Sequence, residues 1–227
     1  MKSGLDFRAE WFQSEFTRQR GVFLSLIGAA GSGKSTIGAR LLELFPSDLS
    51  LSVSVTSRTP RQGETPGKSY DFVSRGEFEK RIREGYFFEW EETHGNYYGT
   101  PQNTIDSVMN GSTDLLLDID IRGAIHFKRS FPSEAVNVFL LPSSGAVLRD
   151  RLMKREKGNV EEVERRLQTA EREYVQLLQE GRNEGMVDYV IVNDDLDIAF
   201  HKVCSILLTE RSRLARMSED SLRGRMK

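Results

Sequence analysis

At 227 residues the chain has room for one large domain, or a core domain with small inserts, and is too short for a multidomain scaffold. A folded chain of this size buries roughly 70–75% of the surface its unfolded form exposes, so neither disulfides nor a structural metal are required. Lysine and arginine total 32 against 34 aspartates and glutamates, a formal net charge of -2. That balance excludes nonspecific nucleic-acid binding as the main activity and leaves any anion chemistry to local charge.

The single cysteine, Cys204, has no partner for an intrachain disulfide. It sits in the apolar-periodic stretch from Ile198 to Leu208 and reads as a buried packing residue in a reducing, cytoplasmic protein. His94, His126 and His201 lie far apart without zinc-ligand spacing and read as structural or surface residues. No run approaches the roughly 20 apolar residues of a membrane span, and the start of the chain lacks the apolar core of a secretory signal. A soluble protein that is not exported is expected.

Residues 1–20 are polar, with Phe7, Trp11, Phe12 and Phe16 spaced as on a short amphipathic helix. Val22 to Ile27 is an almost continuous apolar run ending at Gly28, the pattern of a strand buried on both faces. Leu115 to Ile119, Val136 to Leu141 and Tyr189 to Val192 look alike. Helical patterns lie between them, and this alternation predicts a parallel sheet flanked by helices. From Leu51 to Tyr98 the pattern changes to short strands, a Gly- and Pro-bearing loop from Thr59 to Lys68, and one short helix. Ser74 with Glu77 is a capping-box start for that helix and Gly85 suits its end. Thr100 followed by Pro101 predicts the N-cap and first residue of another helix, which Gly111 would close. Ser143 to Arg182 is arginine-rich and helical with a break at Lys157, Gly158 and Asn159, as two helices joined by a turn would be.

Gly28-Ala29-Ala30-Gly31-Ser32-Gly33-Lys34-Ser35 fits the phosphate-loop pattern G-x-x-x-x-G-K-[ST] in full, between a strand and an amphipathic helix. The glycines free the backbone to turn its N–H groups inward onto phosphate oxygens. Lys34 supplies a charge that follows the β and γ phosphates, Ser35 a hydroxyl for Mg²⁺, and the helix its positive end. An ATP or GTP site is expected here. A bare glycine-rich turn gives no reason for the lysine and hydroxyl pair.

The acceptor has to be read elsewhere. Arg58 and Arg61 flank Pro60, three residues apart, and paired guanidinium groups suit a phosphate dianion. Tyr70, Tyr97 and Tyr98 follow as hydroxyl donors, one of the adjacent pair being expected to pack in the insert's core instead. Asp118 and Asp120, at the end of their strand, would share a face turned to the ligand side of the sheet. Either could hold Mg²⁺ through water or accept a ligand N–H, and the alternative for Asp120 is a helix cap.

These residues resemble the guanylate kinase family, whose members move the γ-phosphoryl of ATP to GMP. The similarity runs from about Gly21 to Leu208, through SVSVTSRTPRQGE, GKSYDFVS, FEW with NYYGT downstream, LLLDIDIRGA and DYVIVNDD. It implies a phosphate-loop core at 21–50, 99–142 and 183–210, a GMP-binding insert at 51–98 and a helical lid at 143–182. Residues 1–20 and 211–227 are left as an extension and a tail with no assigned role. The resemblance implies ATP binding by Gly28, Ala29, Ala30, Gly31, Ser32, Gly33, Lys34, Ser35 and Thr36, with Asn193 near the donor base. It implies that Arg58, Arg61, Tyr70 and Tyr98 bind the GMP phosphate, and that Ser54, Glu89, Thr100 and one or both of Asp118 and Asp120 surround guanine. Guanine presents donors at N1 and N2, so Glu89 can accept both where adenine would be repelled.

Arg151, Arg155 and Arg166 match lid arginines that close on the transferring phosphoryl group and join Lys34 and Arg58 as catalytic candidates. Ser35 and Asp118 are the candidate Mg²⁺ ligands. No catalytic histidine is needed, because the acceptor is already a phosphate anion. Asp194 and Asp195 read as cap and surface residues. The expected partners are the small molecules ATP and GMP, with neither nucleic acid nor membrane; monomer and homo-oligomer are both open.

The chain departs from the family at Ala29 and Ala30, where Pro and Ser are usual. It also carries Lys154-Arg155-Glu156 where glycines often surround the arginine, which points to a stiffer or more helical lid. Two other readings stand beside the kinase. A noncatalytic binding module of the same fold is disfavoured by the intact phosphate loop. A sugar-phosphate kinase is disfavoured by the base-reading set Ser54, Glu89 and Thr100.

Overall fold

The computed structural model describes residues 18–60, 64–67, 70–93, 95–109 and 113–225. The helix expected before residue 18, with Phe7, Trp11, Phe12 and Phe16, lies outside the described residues, as do Arg61, Gly63, Lys68, His94 and Gly111.

The first half of the chain builds two sheets. β1 (Phe23–Ile27) is buried along its whole length and leads into α1 (Lys34–Leu44) and β2 (Leu49–Leu51). β3 (Val55–Thr56), β4 (Asp71–Phe72), β5 (Phe87–Thr93) and β6 (Asn96–Pro101) form a separate four-stranded sheet in the order β4-β3-β6-β5. α2 (Arg75–Arg83) crosses that sheet, with Ser74 accepting the Glu77 N–H as its N-cap and Gly85 at φ 67° just past its end, as the sequence predicts. Phe78 stacks between Phe87 and Tyr97, so Tyr97 is the tyrosine that packs in the insert's core.

The second half completes the larger sheet. α3 (Gln102–Met109), β7 (Asp114–Leu117), α4 (Ile121–Ser130), β8 (Ala135–Leu141), α5 (Gly145–Arg155) and α6 (Val160–Gln176) follow in turn. A π-helical turn over Leu177–Arg182, β9 (Tyr189–Val192), α7 (Leu196–Arg211), a 3₁₀ turn at Leu214–Arg216 and α8 (Glu219–Gly224) end the chain. The large sheet is parallel throughout, ordered β2-β7-β1-β8-β9. Strand alternation sends Leu24 and Leu26 to the side covered by α1 and α7, and Phe23 and Ile27 to the side covered by α3 and α4.

Four expectations need correction. Leu51 belongs to β2 of the large sheet, not to the insert, because it pairs with Leu116. Thr100 and Pro101 are strand residues of β6, not the start of a helix: cross-strand pairing of Thr100 with Glu89 overrides the local capping signal. β9 is not buried on both faces, since it forms the sheet edge with Val190 and Val192 half exposed. The strand before Asp118 stops at Leu117, so Asp118 and Asp120 follow the strand rather than end it.

The tail acquires a structural role. Arg18 bridges to Met217, Gln19 N–H donates to Arg216 O, and the buried Arg216 donates to Gly21 O. Beneath the sheet, fully buried Asp114 accepts from Arg18 at 2.5 Å, from Arg211 at 2.6 Å and from the Val22 N–H at 2.8 Å. Residues flanking the core at both ends are thereby tied to β7. Cys204 is fully buried as expected, and burial pushes its thiol up to about 12.

Candidate functional site

The turn from β1 into α1 places three glycines in left-handed backbone, Gly28 at φ 133°, Gly31 at 85° and Gly33 at 100°. At Gly33 even a methyl group is excluded, because a Cβ would lie 2.1 Å from the Asn193 amide nitrogen. Gly33 offers no side-chain cap to α1, so the first helical N–H groups remain open to an anion, together with the positive helix end. Lys34 folds back onto the Gly28 carbonyl and, at 3.1 Å, the Ala29 carbonyl. Burial lowers its ammonium from the usual lysine range, the Glu173 and Asp118 carboxylates pull it back up, and Arg155 pushes it down. A cavity of about 350 Å³ joins Gly31, Gly33, Lys34, Ser35 and Thr36 to Arg151, Arg155 and Asn193.

Asn193 braces this loop. Its buried amide donates to Ser32 O at 2.7 Å, and its own carbonyl accepts from Arg151 at 2.8 Å. Asn193 thus holds the loop through its side-chain amide and Arg151 through its backbone carbonyl. Asn193→Ala is expected to lower phosphoryl-transfer turnover about 10-fold with the protein still folded, by loss of loop geometry; unchanged steady-state kinetics would refute that bracing role. Asp195 caps α7 and Asp194 accepts the Ser143 N–H, as the cap and surface reading has them.

A second cavity, about 220 Å³, lies between the two sheets. Ser54, Tyr70, Glu89, Tyr98, Thr100, Asp118 and Asp120 all line it, together with Glu91. Thr100 Oγ1 donates to Glu89 Oε1 at 3.1 Å, leaving the other carboxylate oxygen to the cavity. Burial raises the Glu89 carboxyl above the ordinary range, the Thr100 bond lowers it, and the Asp120 and Glu91 charges raise it. Asp120 also caps α4 through the Gly123 N–H at 2.9 Å, so the helix-cap alternative holds for one of its oxygens. The carboxylates of this cavity suit the N–H-rich edge of a neutral base, and the Tyr70 and Tyr98 hydroxyls are left for a phosphate.

The arginines are engaged by carboxylates. Arg58 makes two bonds of 2.9 Å to Glu64, which raises its pKa further, and lies 5.4 Å from the Tyr70 ring. Tyr70 and Tyr98 meet edge to face at 6.0 Å, and burial raises the Tyr70 hydroxyl. In the lid, Arg155 ends α5 and faces the loop cavity, whereas Arg166 on α6 lies outside that cavity, held by Glu162 at 2.8 Å and Glu156 at 3.1 Å. Ala29 and Ala30 pack in one apolar cluster with Leu148, Leu152, Leu167 and Tyr174 of α5 and α6.

Glu173 is a site residue that sequence reasoning missed. It lies on α6 with one carboxylate oxygen buried and without a hydrogen-bond partner, and burial raises its carboxyl while the charge of Lys34 lowers it. On a helix so rich in charge, it looked like one more solvated residue. For a metal, Ser35 and Asp118 line one further cavity of about 170 Å³ together with Lys34 and a wall made largely of leucines. Among the described residues no group of three or more His, Cys, Asp and Glu forms a protein cage. Two oxygen donors beside a phosphate loop suit a cation held mostly by phosphate and water, as Mg²⁺ is.

Known proteins similar to this chain include several members of one family. The family model described as guanylate kinase matches residues 20–210. A guanylate kinase of Maricaulis maris is 42% identical over 199 residues, covering 88% of each chain. One from Thermus thermophilus is 42% identical over 200 residues, covering 88% of this chain and 86% of its own. The crystal structure of guanylate kinase from Anaplasma phagocytophilum superposes with a TM-score of 0.70 at 32% identity, over 92% of this chain and 95% of that one.

Proposed function

The chain belongs to the guanylate kinase family, and on that premise we propose that its two cavities hold the two nucleotides of an ATP-dependent phosphorylation of GMP to GDP. The observation that carries the assignment is Asp118, which lines the acidic cavity and also the one beside Lys34 and Ser35. A base read by Glu89 and Thr100 would therefore send its phosphate toward the phosphate loop.

In this reading the loop N–H groups and Lys34 hold the β and γ phosphates, and Arg151, pinned by Asn193, faces the transferring group. Arg58, Tyr70 and Tyr98 orient the GMP phosphate, whose oxygen is the nucleophile, so no general base is needed. Arg155 and Arg166 spread the charge of the equatorial oxygens as the lid closes and water is excluded. Ser35, with Asp118, would hold Mg²⁺, which when bound neutralises charge on the phosphate oxygens. A cytoplasmic setting suits this substrate pair and a chain with one buried thiol.

The test is ADP release from ATP and Mg²⁺ with GMP, AMP, CMP, UMP or no acceptor, beside a Lys34→Ala control. Turnover with GMP alone, lost in the control, is the expected result. A folded protein without acceptor-dependent turnover points to the noncatalytic binding module, and another preferred acceptor to a wrong reading of Glu89.

Glu89→Gln is expected to lower kcat/KM for GMP about 10²-fold, because the amide offers one acceptor and a clashing donor to guanine. The sign of the pH effect follows from the raised carboxyl: Glu89 protonates above the ordinary carboxylate range, and the acid form is a poor acceptor. KM for GMP should therefore climb as pH falls into that window, and Glu89→Gln should lack this acid limb. A limb persisting in the variant assigns it to another group.

A further inference from the structure

Glu156 closes α5 as its C-cap and brings one carboxylate oxygen near two arginines, of which Arg166 also lies 2.8 Å from Glu162. Its Oε1 lies 3.1 Å from Arg166 Nε and 3.6 Å from Arg155 Nε. Arg155 is otherwise largely exposed and faces the cavity over Lys34 and Ser35. Two guanidinium groups this close repel, and an anion between them offsets that repulsion. In the insert a carboxylate also occupies an arginine, Glu64 accepting two bonds of 2.9 Å from Arg58.

We propose that Glu156 is a positioning residue of the phosphate site: its carboxylate gathers Arg155 and Arg166 in the place a phosphate oxygen takes, and an arriving phosphate displaces it. The proposal rests on reading these two arginines as phosphate ligands. Exchange is favourable because a terminal phosphate brings more negative charge and more acceptor oxygens than a single carboxylate, and the pair it replaces is partly exposed and weak. The lid thus discriminates against lone anions, which must compete with Glu156 without the help of a bound nucleoside.

Metal-free pyrophosphate is the probe, titrated calorimetrically into the wild type, Glu156→Gln, Glu156→Asp and the double variant Arg155→Ala/Arg166→Ala. Glu156→Gln is expected to bind it about 3- to 10-fold tighter, the reverse of what a damaged lid does, with KM for ATP falling in parallel. KM for GMP should change less than about 2-fold, since Glu156 does not line the base cavity. Glu156→Asp, which keeps the charge, should lie nearer the wild type than Gln. The double arginine variant should bind pyrophosphate more weakly. If it does and Glu156→Gln binds no tighter than wild type, Glu156 is not a competitor and the proposal fails while the site reading stands. If removing both arginines leaves pyrophosphate binding unchanged, the lid reading fails and takes the proposal with it.

Discussion

Lys34→Ala is expected to lower kcat with GMP and ATP by about 10³-fold while leaving the fold intact, because the charge that follows the transferring phosphoryl group is gone. The two effects have opposite signs for one reason. Lys34 is half-buried at the start of α1, where desolvation disfavours its ammonium, and it is satisfied by two backbone carbonyls of the loop. Alanine removes that desolvation cost and is the best helix former, so the thermal midpoint should hold or rise. KM for GMP should move little, since Lys34 does not line the base cavity. Turnover reduced less than about 10-fold, or a midpoint lowered by several degrees with turnover, would mean that Lys34 serves the loop's structure and not the transferring group. Such a residue, costly to the fold and central to the chemistry, is where stability and activity trade against each other.

What the sequence discloses, and what it hides, follows sequence distance. The phosphate loop is legible because eight consecutive residues carry the chemistry and the flanking strand and helix have clear periods. The base cavity is harder: Glu89 and Thr100 meet only through strand pairing, and the local signal of Thr100 before Pro101 points to a helix instead. β2 is three residues long, too short for any periodicity, and is defined by its partner β7. An apolar run such as Tyr189 to Val192 does not disclose whether its strand is central or at the edge. Glu156 is legible only as a departure that would stiffen the lid, and Glu173 not at all, until tertiary packing brings Glu156 against Arg166 and Glu173 near Lys34. Charges at a site are recognisable from sequence only when their partners are close along the chain.

The network under Asp114 joins residues 96 and 97 positions apart, and it carries the largest expected effect on stability. Asp114→Ala is expected to cost about 3–5 kcal/mol in urea unfolding, since it strands two buried guanidinium groups and the Val22 N–H. That cost measures the charges left behind and not the worth of the network. A triple variant, Arg18→Met with Asp114→Leu and Arg211→Met, removes the charges together and should cost less than Asp114→Ala alone, because apolar groups of similar volume need no partners. The prediction separates two accounts of both chain ends. If the triple variant is nearly as stable as wild type, the ends are held by packing and by the backbone bonds of Gln19 and Arg216, and the ions set their register. A triple variant less stable than Asp114→Ala would show that the ion pairs themselves hold the ends to β7. Guanylate kinase activity should survive either outcome at low temperature, since Asp114 lies at the start of β7 and lines neither the loop cavity nor the base cavity.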